Sequence, residues 1–274
     1  MAIQFPNIDP VAIQLGPVAI HWYALAYLAG ILGGWFLAKH IVRLDQNRYR
    51  PNETDVDDFM TWAVLGVILG GRIGYILFYN FHIYAENPLE VLKIWQGGMS
   101  WHGALIGVIT VIISYAKIKK VELFRLADLF AVGATIGFFF GRIANFVNGE
   151  LFGRVTESPL GIIFPRGGEL PRHPSQLYEA ALEGFVLFII LVTMAHISKI
   201  RNTPGLISAA FLFFYGVFRF IIEFFREPDA QLGFIVGDLS MGQLLCMPVI
   251  AGGVLVFFIA HHLKKKQSHA QSIA

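Results

Sequence analysis

Cysteine occurs once in the 274 residues, at Cys246. An intramolecular disulfide is therefore excluded, and the position of Cys246 inside a long apolar run favours a small buried hydrophobe over a catalytic thiol. Charge is also scarce: Asp, Glu, Lys and Arg make up 15% of the chain, against 55% hydrophobic and 14% aromatic residues, and mean hydropathy is +0.60. A soluble domain of this length needs no such excess of apolar surface. The formal net charge of +2 points to no charged partner, and nucleic acid is not expected. HExxH, a His/Cys cluster and an Asp pair at ligand spacing are all missing, which speaks against metal hydrolysis. No GxSxG is present, and Ser175 follows a proline outside any strand-to-helix elbow, so a serine nucleophile is unsupported. Residues 1–19 lack a basic n-region and a small-residue cleavage site, so nothing reads as a removable signal peptide.

What is there in quantity is long apolar sequence. Crossing a hydrocarbon core takes about 20 helical residues, and seven runs qualify, at roughly 20–38, 58–79, 98–115, 126–147, 176–196, 205–224 and 239–261. An all-α membrane protein follows, a seven-helix bundle, because lipid offers unpaired backbone no partner. No internal repeat or low-complexity tract divides the chain, so residues 1–274 are expected to form a single integral-membrane domain. Lys and Arg alternate between connections: four, four, two and three on one side, against none, one, three and one on the other. By the positive-inside rule the amino terminus faces outward and the carboxyl terminus the cytoplasm, where Lys264, Lys265 and Lys266 meet anionic lipid heads.

Three extramembrane features are expected. Residues 1–19, with Ile3, Phe5, Ile8, Val11, Ile13 and Leu15 broken by Pro6, Pro10 and Pro17, read as an interfacial arm. The outward connection from Phe81 to Gly97 is too polar for a span and also suits the interface. The 148–175 loop mixes glycines and prolines with short apolar pieces such as Leu160 to Phe164, and reads as a small folded extracytoplasmic cap.

Ionisable and amide side chains inside apolar runs are costly and therefore informative. In the outward orientation they gather at one depth: His21, Tyr23 and Tyr27 in the first helix, Arg72 and Tyr75 in the second, Trp101 and His102 opening the third. Arg142 and Asn145 close the fourth, and Gln176, Tyr178, Glu179 and Glu183 open the fifth. Tyr215, Arg219 and Glu223 occupy the sixth, with Asp238 and Gln243 beginning the seventh; Asp128, beside Arg125, is the exception at the opposite end. Arg142 and Asn145 are three apart and Arg219 and Glu223 four apart, so each pair shares a helix face. Each feature also has a plainer reading. Arg219 with Glu223 can be a neutralising pair between helices, Glu179 and Glu183 can accept hydrogen bonds or pair with an arginine, and His102 can be a hydrogen-bonded interface residue. The aromatics fit an interfacial belt, and Gly70, Gly71 and Gly74 fit close helix packing. The plain readings do not explain why arginines, a histidine, amides and carboxylates share one depth. Guanidinium forks match phosphate, so a phospholipid or another anionic amphiphile is the expected ligand.

WHGALIG at 101–107, GRIANFVNGELFGR at 141–154, HPSQLYEA at 173–180 and YGVFRFIIEFFREPD at 215–229, in this order, resemble the sequence blocks of the prolipoprotein diacylglyceryl transferases of bacterial inner membranes. The resemblance implies transfer of the sn-1,2-diacylglyceryl group from phosphatidylglycerol to the thiol of the lipobox cysteine of a preprolipoprotein. A thioether forms and glycerol phosphate leaves, with no metal and no cofactor. The implied partners are phosphatidylglycerol, lipobox signal peptides and membrane lipids. The resemblance further implies that Arg142, Asn145, Glu150 and Gly153 belong to the functional signature, and that Tyr23, His102, Tyr215, Arg219 and Glu223 also serve the site. On that basis Arg142 and Arg219 meet the phosphate and its developing charge. Asn145 and Tyr23 position the headgroup, Glu150 holds an arginine or orders the loop, and Gly153 admits close backbone approach. His102 is the general base by its ordinary pKa range, with an arginine-stabilised thiolate and water as proton acceptor the rival. Ala144, Phe152 and Ala104 depart from the commonest residues of these blocks at packing positions, which touches substrate preference and not reaction class. A secondary transporter would place its polar site at the midplane between related halves, and a non-enzymatic lipid or signal-peptide receptor would need the arginines without a base.

Overall fold

Backbone in lipid can satisfy its polar groups only within its own segment, and the computed structural model is accordingly dominated by helices. It describes residues 3–46, 48–93, 95, 97–227, 234–236 and 239–273. In chain order come β1 (Ile3–Gln4), β2 (Val11–Leu15), β3 (Val18–His21), α1 (Trp22–Leu44), α2 (Glu53–Tyr79), α3 (Phe81–Glu86), a 3-10 turn (Pro88–Leu92), α4 (Trp101–Lys119) and α5 (Leu123–Val147). They are followed by β4 (Ile162–Ile163), α6 (Ser175–Glu179), a π-helical stretch (Ala180–Val186), α7 (Leu187–His196), α8 (Ser198–Arg201), α9 (Leu206–Ile222), β5 (Phe234–Val236), β6 (Leu239–Ser240) and α10 (Met241–Ile273).

Among the described residues six helices are long and apolar enough to cross a membrane: α1, α2, α4, α5, the continuous rod Ser175–His196, and α10 as far as Lys266. The chain is thus an all-α, multi-pass membrane protein. Large apolar side chains such as Phe36, Leu77 and Phe258 remain exposed, as expected of faces that meet acyl chains. The run expected to cross at 205–224 carries α9, apolar but only 17 residues long.

Helix ends differ from the apolar runs because capping chemistry sets them. The second helix begins at Glu53, not near 58, since Asn52 and Asp55 form a reciprocal capping box with both bonds at 3.0 Å. The first begins at Trp22, and His21, expected inside it, instead ends β3. Gly16 at φ +57 and Pro17 make the two-residue turn that pairs Leu15 with Val18, a glycine-first hairpin connection. The last helix runs past 261 to Ile273.

The chain forms two compact units, Val42–Ala127 and the remainder, Met1–Ile41 with Asp128–Ala274. In the former, α2 and α4 pack backbone to backbone. A Cβ on Gly107 would lie 2.1 Å from the Gly66 carbonyl, and one on Gly103 2.3 Å from that of Gly70, so only glycines spaced by four allow this approach. Arg72, buried in the same unit, donates to the carbonyls of Glu90 (2.6 Å), Val91 (3.0 Å) and Gly97 (2.7 Å). It thereby folds the connection between α2 and α4 around one guanidinium.

In the other unit, Gly30 of α1 meets Gly137 of α5, where a Cβ on Gly30 would stand 2.8 Å from the Gly137 Cα. Asp128 near the start of α5 caps α9, accepting from the N–H groups of Gly205 (2.8 Å) and Ser208 (2.7 Å) and from the Ser208 hydroxyl (2.6 Å). The 148–175 segment is folded. β4 pairs in parallel with β1, Ile162 and Arg172 exchange backbone hydrogen bonds, and fully buried Phe164 contacts the rings of Phe5 (5.3 Å) and Phe152 (5.2 Å).

Two variants test the packing. Gly107→Val is expected to destabilise the detergent-solubilised protein by about 3 kcal/mol, read as a lowered thermal midpoint. Gly137→Ala, whose Cβ would meet nothing within 4 Å, should be neutral or slightly stabilising; equal losses in the two would refute the close-packing account. Asp128→Ala strips the start of α9 of its acceptor and is expected to cost about 2–3 kcal/mol in the same measurement.

Candidate active site

The end of α5, the short helix α6, the π-helical stretch and the end of α9 bring their polar residues together within one compact unit. Glu179, the last residue of α6, is fully buried. Its Oε2 lies 2.6 Å from Arg142 Nε, and its Oε1 is 3.1 Å from Arg219 Nη1 and 2.7 Å from Arg226 Nη1. Glu223 follows α9 and sits one turn beyond Arg219, with Oε1 2.8 Å from Arg219 Nη2 and 3.1 Å from Arg226 Nε. Glu183, inside the π stretch, is looser, 3.5 Å from Arg219 and 4.0 Å from Arg142. Three arginines and three glutamates thus form one network, in which Glu179 and Glu183 pair with arginines.

The network has an inside and an outside. Side-chain exposure is 0%, 1% and 6% for Glu179, Glu183 and Glu223, but 24%, 18% and 17% for Arg142, Arg219 and Arg226. The carboxylates lie behind and the guanidiniums in front. Arg142 turns its Nε edge to Glu179, while among the described residues its Nη groups have only long contacts, 3.5 Å to Asn145 Oδ1 and 4.0 Å to Glu183. That leaves the paired Nη edge, the one that matches two phosphate oxygens, for a ligand. Among the described residues no three His, Cys, Asp or Glu side chains are placed to hold a metal ion.

Behind Arg142 the loop after α5 is held by amides. Asn145 and Asn148 donate to Glu150 Oε1 at 3.0 and 3.2 Å, and Gln176 donates to the Glu150 carbonyl. These contacts order the loop; among the described residues the side-chain partners of Glu150 are amides, with no arginine. Gly153 N–H donates to the His173 carbonyl at 2.8 Å, and a Cβ on Gly153 would lie 2.2 Å from the Phe225 carbonyl. A side chain there would push away the strand-like turn that carries Arg226. Arg154 locks the same turn, donating to the carbonyls of Arg226 (2.7 Å) and Glu223 (3.2 Å). His173 packs edge-on against Phe225 and lies 3.2 Å from the Tyr178 hydroxyl; burial lowers its pKa, which favours the neutral ring.

Of the other residues expected at the site, Tyr215 packs on Phe138 and Phe211, and Tyr23 lies with its ring 5.0 Å from that of Tyr27. His102 belongs to the other compact unit, in the first turn of α4, exposed and edge-on to Trp101. Asp238, Pro228 and Asp229 lie outside the described residues. Sequence reasoning missed Arg226, which counted only as a connection residue. It follows Glu223 by three and Arg219 by seven, so helical spacing carried past the end of the apolar run would have found it.

The family model of prolipoprotein diacylglyceryl transferases matches residues 10–259. The chain is similar to the phosphatidylglycerol–prolipoprotein diacylglyceryl transferase of Rhodospirillum rubrum, 50% identical over 267 residues and 96% of each chain. It is also similar to that of Paramagnetospirillum magneticum, 52% identical over 254 residues, covering 92% of this chain and 94% of the relative. That of Azospirillum brasilense is 52% identical over 256 residues, covering 93% and 95%. With a family match running from before the hairpin into α10, through every element of the arginine–glutamate network, the chain belongs to the prolipoprotein diacylglyceryl transferase family.

Proposed function

We infer that this protein transfers the sn-1,2-diacylglyceryl group of phosphatidylglycerol to the lipobox cysteine thiol of preprolipoproteins, the first step of lipoprotein maturation in the bacterial inner membrane. The thiol loses its proton, a sulfur–carbon bond forms, the carbon–oxygen bond to phosphate breaks, and glycerol phosphate departs with the electron pair. The observation that carries this reading is the set of part-exposed guanidiniums fixed from behind by a shared buried carboxylate. Negative charge grows on the leaving phosphate, and donors already held in place stabilise it without reorganising.

Arg142 and Arg219 take the phosphate. Asn145 and Tyr23 orient the headgroup, and Tyr215 and Glu223 support Arg219. Glu150 and Gly153 hold the loop that frames it. His102 takes the thiol proton. The seven apolar runs all cross the bilayer, α9 with its following turn making the additional crossing. Together they serve as one membrane domain, residues 1–274, with the amino terminus outside and the carboxyl terminus in the cytoplasm. The first nineteen residues are an interfacial arm and 148–175 an extracytoplasmic cap, which puts the chemistry near the outer leaflet.

The deciding experiment incubates purified protein with labelled phosphatidylglycerol and a synthetic lipobox peptide. A mass gain on the peptide with release of glycerol phosphate is expected, and none on a Cys→Ser peptide; a well-folded protein that modifies neither would refute the transferase reading. Arg142→Lys keeps the charge and loses the planar fork, so turnover should fall on the order of 10- to 100-fold. A lysine variant working at the wild-type rate would sink the bidentate argument. His102→Gln should slow transfer at neutral pH and remove the limb of the pH–rate profile that reports the base; an unchanged profile would return His102 to a packing role.

A further inference from the structure

The start of α10 is built for more than ending a loop. Ser240, Met241, Gly242 and Gln243 form a capping box: the Gln243 N–H donates to Ser240 Oγ at 3.2 Å, and the Ser240 N–H donates to Gln243 Oε1 at 2.9 Å. The cap uses only the lone pairs of the serine hydroxyl. Its proton goes to Glu223, Oγ to Oε2 3.1 Å. The other oxygen of that carboxylate, Oε1, faces Arg219 and Arg226. Gly242 lies flat against the same group, since a Cβ there would stand 2.5 Å from Glu223 Cδ and 2.6 and 2.8 Å from its two oxygens. Ser240 and Glu223 are both buried, so water does not compete for the contact.

We propose that Ser240 and Gly242 are positioning residues for the transfer step, acting through Glu223 on Arg219. The proposal rests on the reading of Arg219 as a phosphate ligand. With one oxygen held by the Ser240 hydroxyl and the other by the two guanidiniums, the Glu223 carboxylate is tied at both ends, and Ser240 sets the plane in which it meets Arg219 and Arg226. Gly242 supplies the space that orientation needs. Without the hydroxyl, Glu223 keeps only its guanidinium contacts and its carboxylate plane can tilt, so Arg219 loses part of the fixed backing that aims it. Catalysis is sensitive to such displacements, because a misplacement of about 1 Å can cost on the order of 100-fold in rate.

Cap and aim can be separated by mutation. Gln243→Ala removes the leg accepted from the backbone N–H of residue 240 and leaves the serine hydroxyl beside Glu223; Ser240→Ala removes the other leg together with the contact to Glu223; Ser240→Thr keeps a hydroxyl for both of these. Both alanine variants should lower the thermal midpoint. Ser240→Ala alone should lower kcat, by about tenfold or more with KM for phosphatidylglycerol changed by less than about threefold, and Ser240→Thr should restore it. A second readout does not depend on turnover: the 15N–1H resonance of Arg226 Nε, assigned by its loss in Arg226→Lys, should move in Ser240→Ala and stay in Gln243→Ala. Equal kcat losses in the two alanine variants, or an unmoved resonance in Ser240→Ala, would overturn the positioning role. A moved resonance in a protein whose wild type makes no thioether would uphold the wiring and refute the transferase reading instead.

Discussion

Glu179 is the contact on which the polar end of this protein depends. A carboxylate with no exposed surface in an apolar bundle is tolerable only if cations surround it, and here three guanidiniums do, from α5, from α9 and from the turn beyond α9. The dependence is mutual. Each arginine is part-exposed, long and flexible, and acquires a fixed direction because one of its nitrogens is bound to a group that cannot move. Removing Glu179 would leave Arg142 without its shortest carboxylate contact, and removing any one arginine would leave a buried anion less compensated. The formal charges of the three arginines and three glutamates cancel. Recognition of an anion here, as proposed, would therefore draw on the geometry of the guanidinium N–H groups more than on a net positive field.

The scaffold supports this by an unrelated mechanism. Between helices in lipid there is little hydrophobic drive, because acyl chains are as apolar as the side chains they would replace. Close backbone contact takes over, as at Gly66, Gly70, Gly103 and Gly107 in one unit and at Gly30 and Gly137 in the other. Polar groups finish the ends: Asp128 satisfies the first N–H groups of α9, so the helix that presents Arg219 at one end is capped at its other end. The residues of the arginine–glutamate network and the packing glycines are thus different sets.

Much of this was legible in the sequence for reasons tied to local periodicity. Apolar runs gave the helices, and three- and four-residue spacings put Arg142 with Asn145 and Arg219 with Glu223 on shared faces. What local pattern cannot carry is the identity of distant partners. Nothing in the spacing of HPSQLYEA says that its glutamate meets an arginine 47 positions later, and Asp128 finds its donors about 80 positions away. Arg226 escaped because it lies just past the apolar run that drew attention to Arg219. Helix boundaries shifted wherever a cap or turn, at Asn52 or at Gly16–Pro17, overrode hydrophobicity. His102 was legible as a chemical candidate, but its place in the other compact unit follows from tertiary structure alone.

The π-helical stretch between α6 and α7 marks where the rod can change its length. A π turn accommodates a residue beyond what an α-helix of the same span would hold, and Glu179 lies immediately before this one while Glu183 lies within it. Deleting a single residue from 180–186 would let the rod close into uninterrupted α-helix without breaking any apolar pattern. Glu179 would then keep nearly its present direction, because the π stretch and an α-helix one residue shorter turn through almost the same angle; a residue deleted from the regular helix α7 would instead turn everything before it by about 100°, carrying the Glu179 carboxylate away from its arginines. The rod can therefore lose a residue at its π stretch far more readily than anywhere in α7.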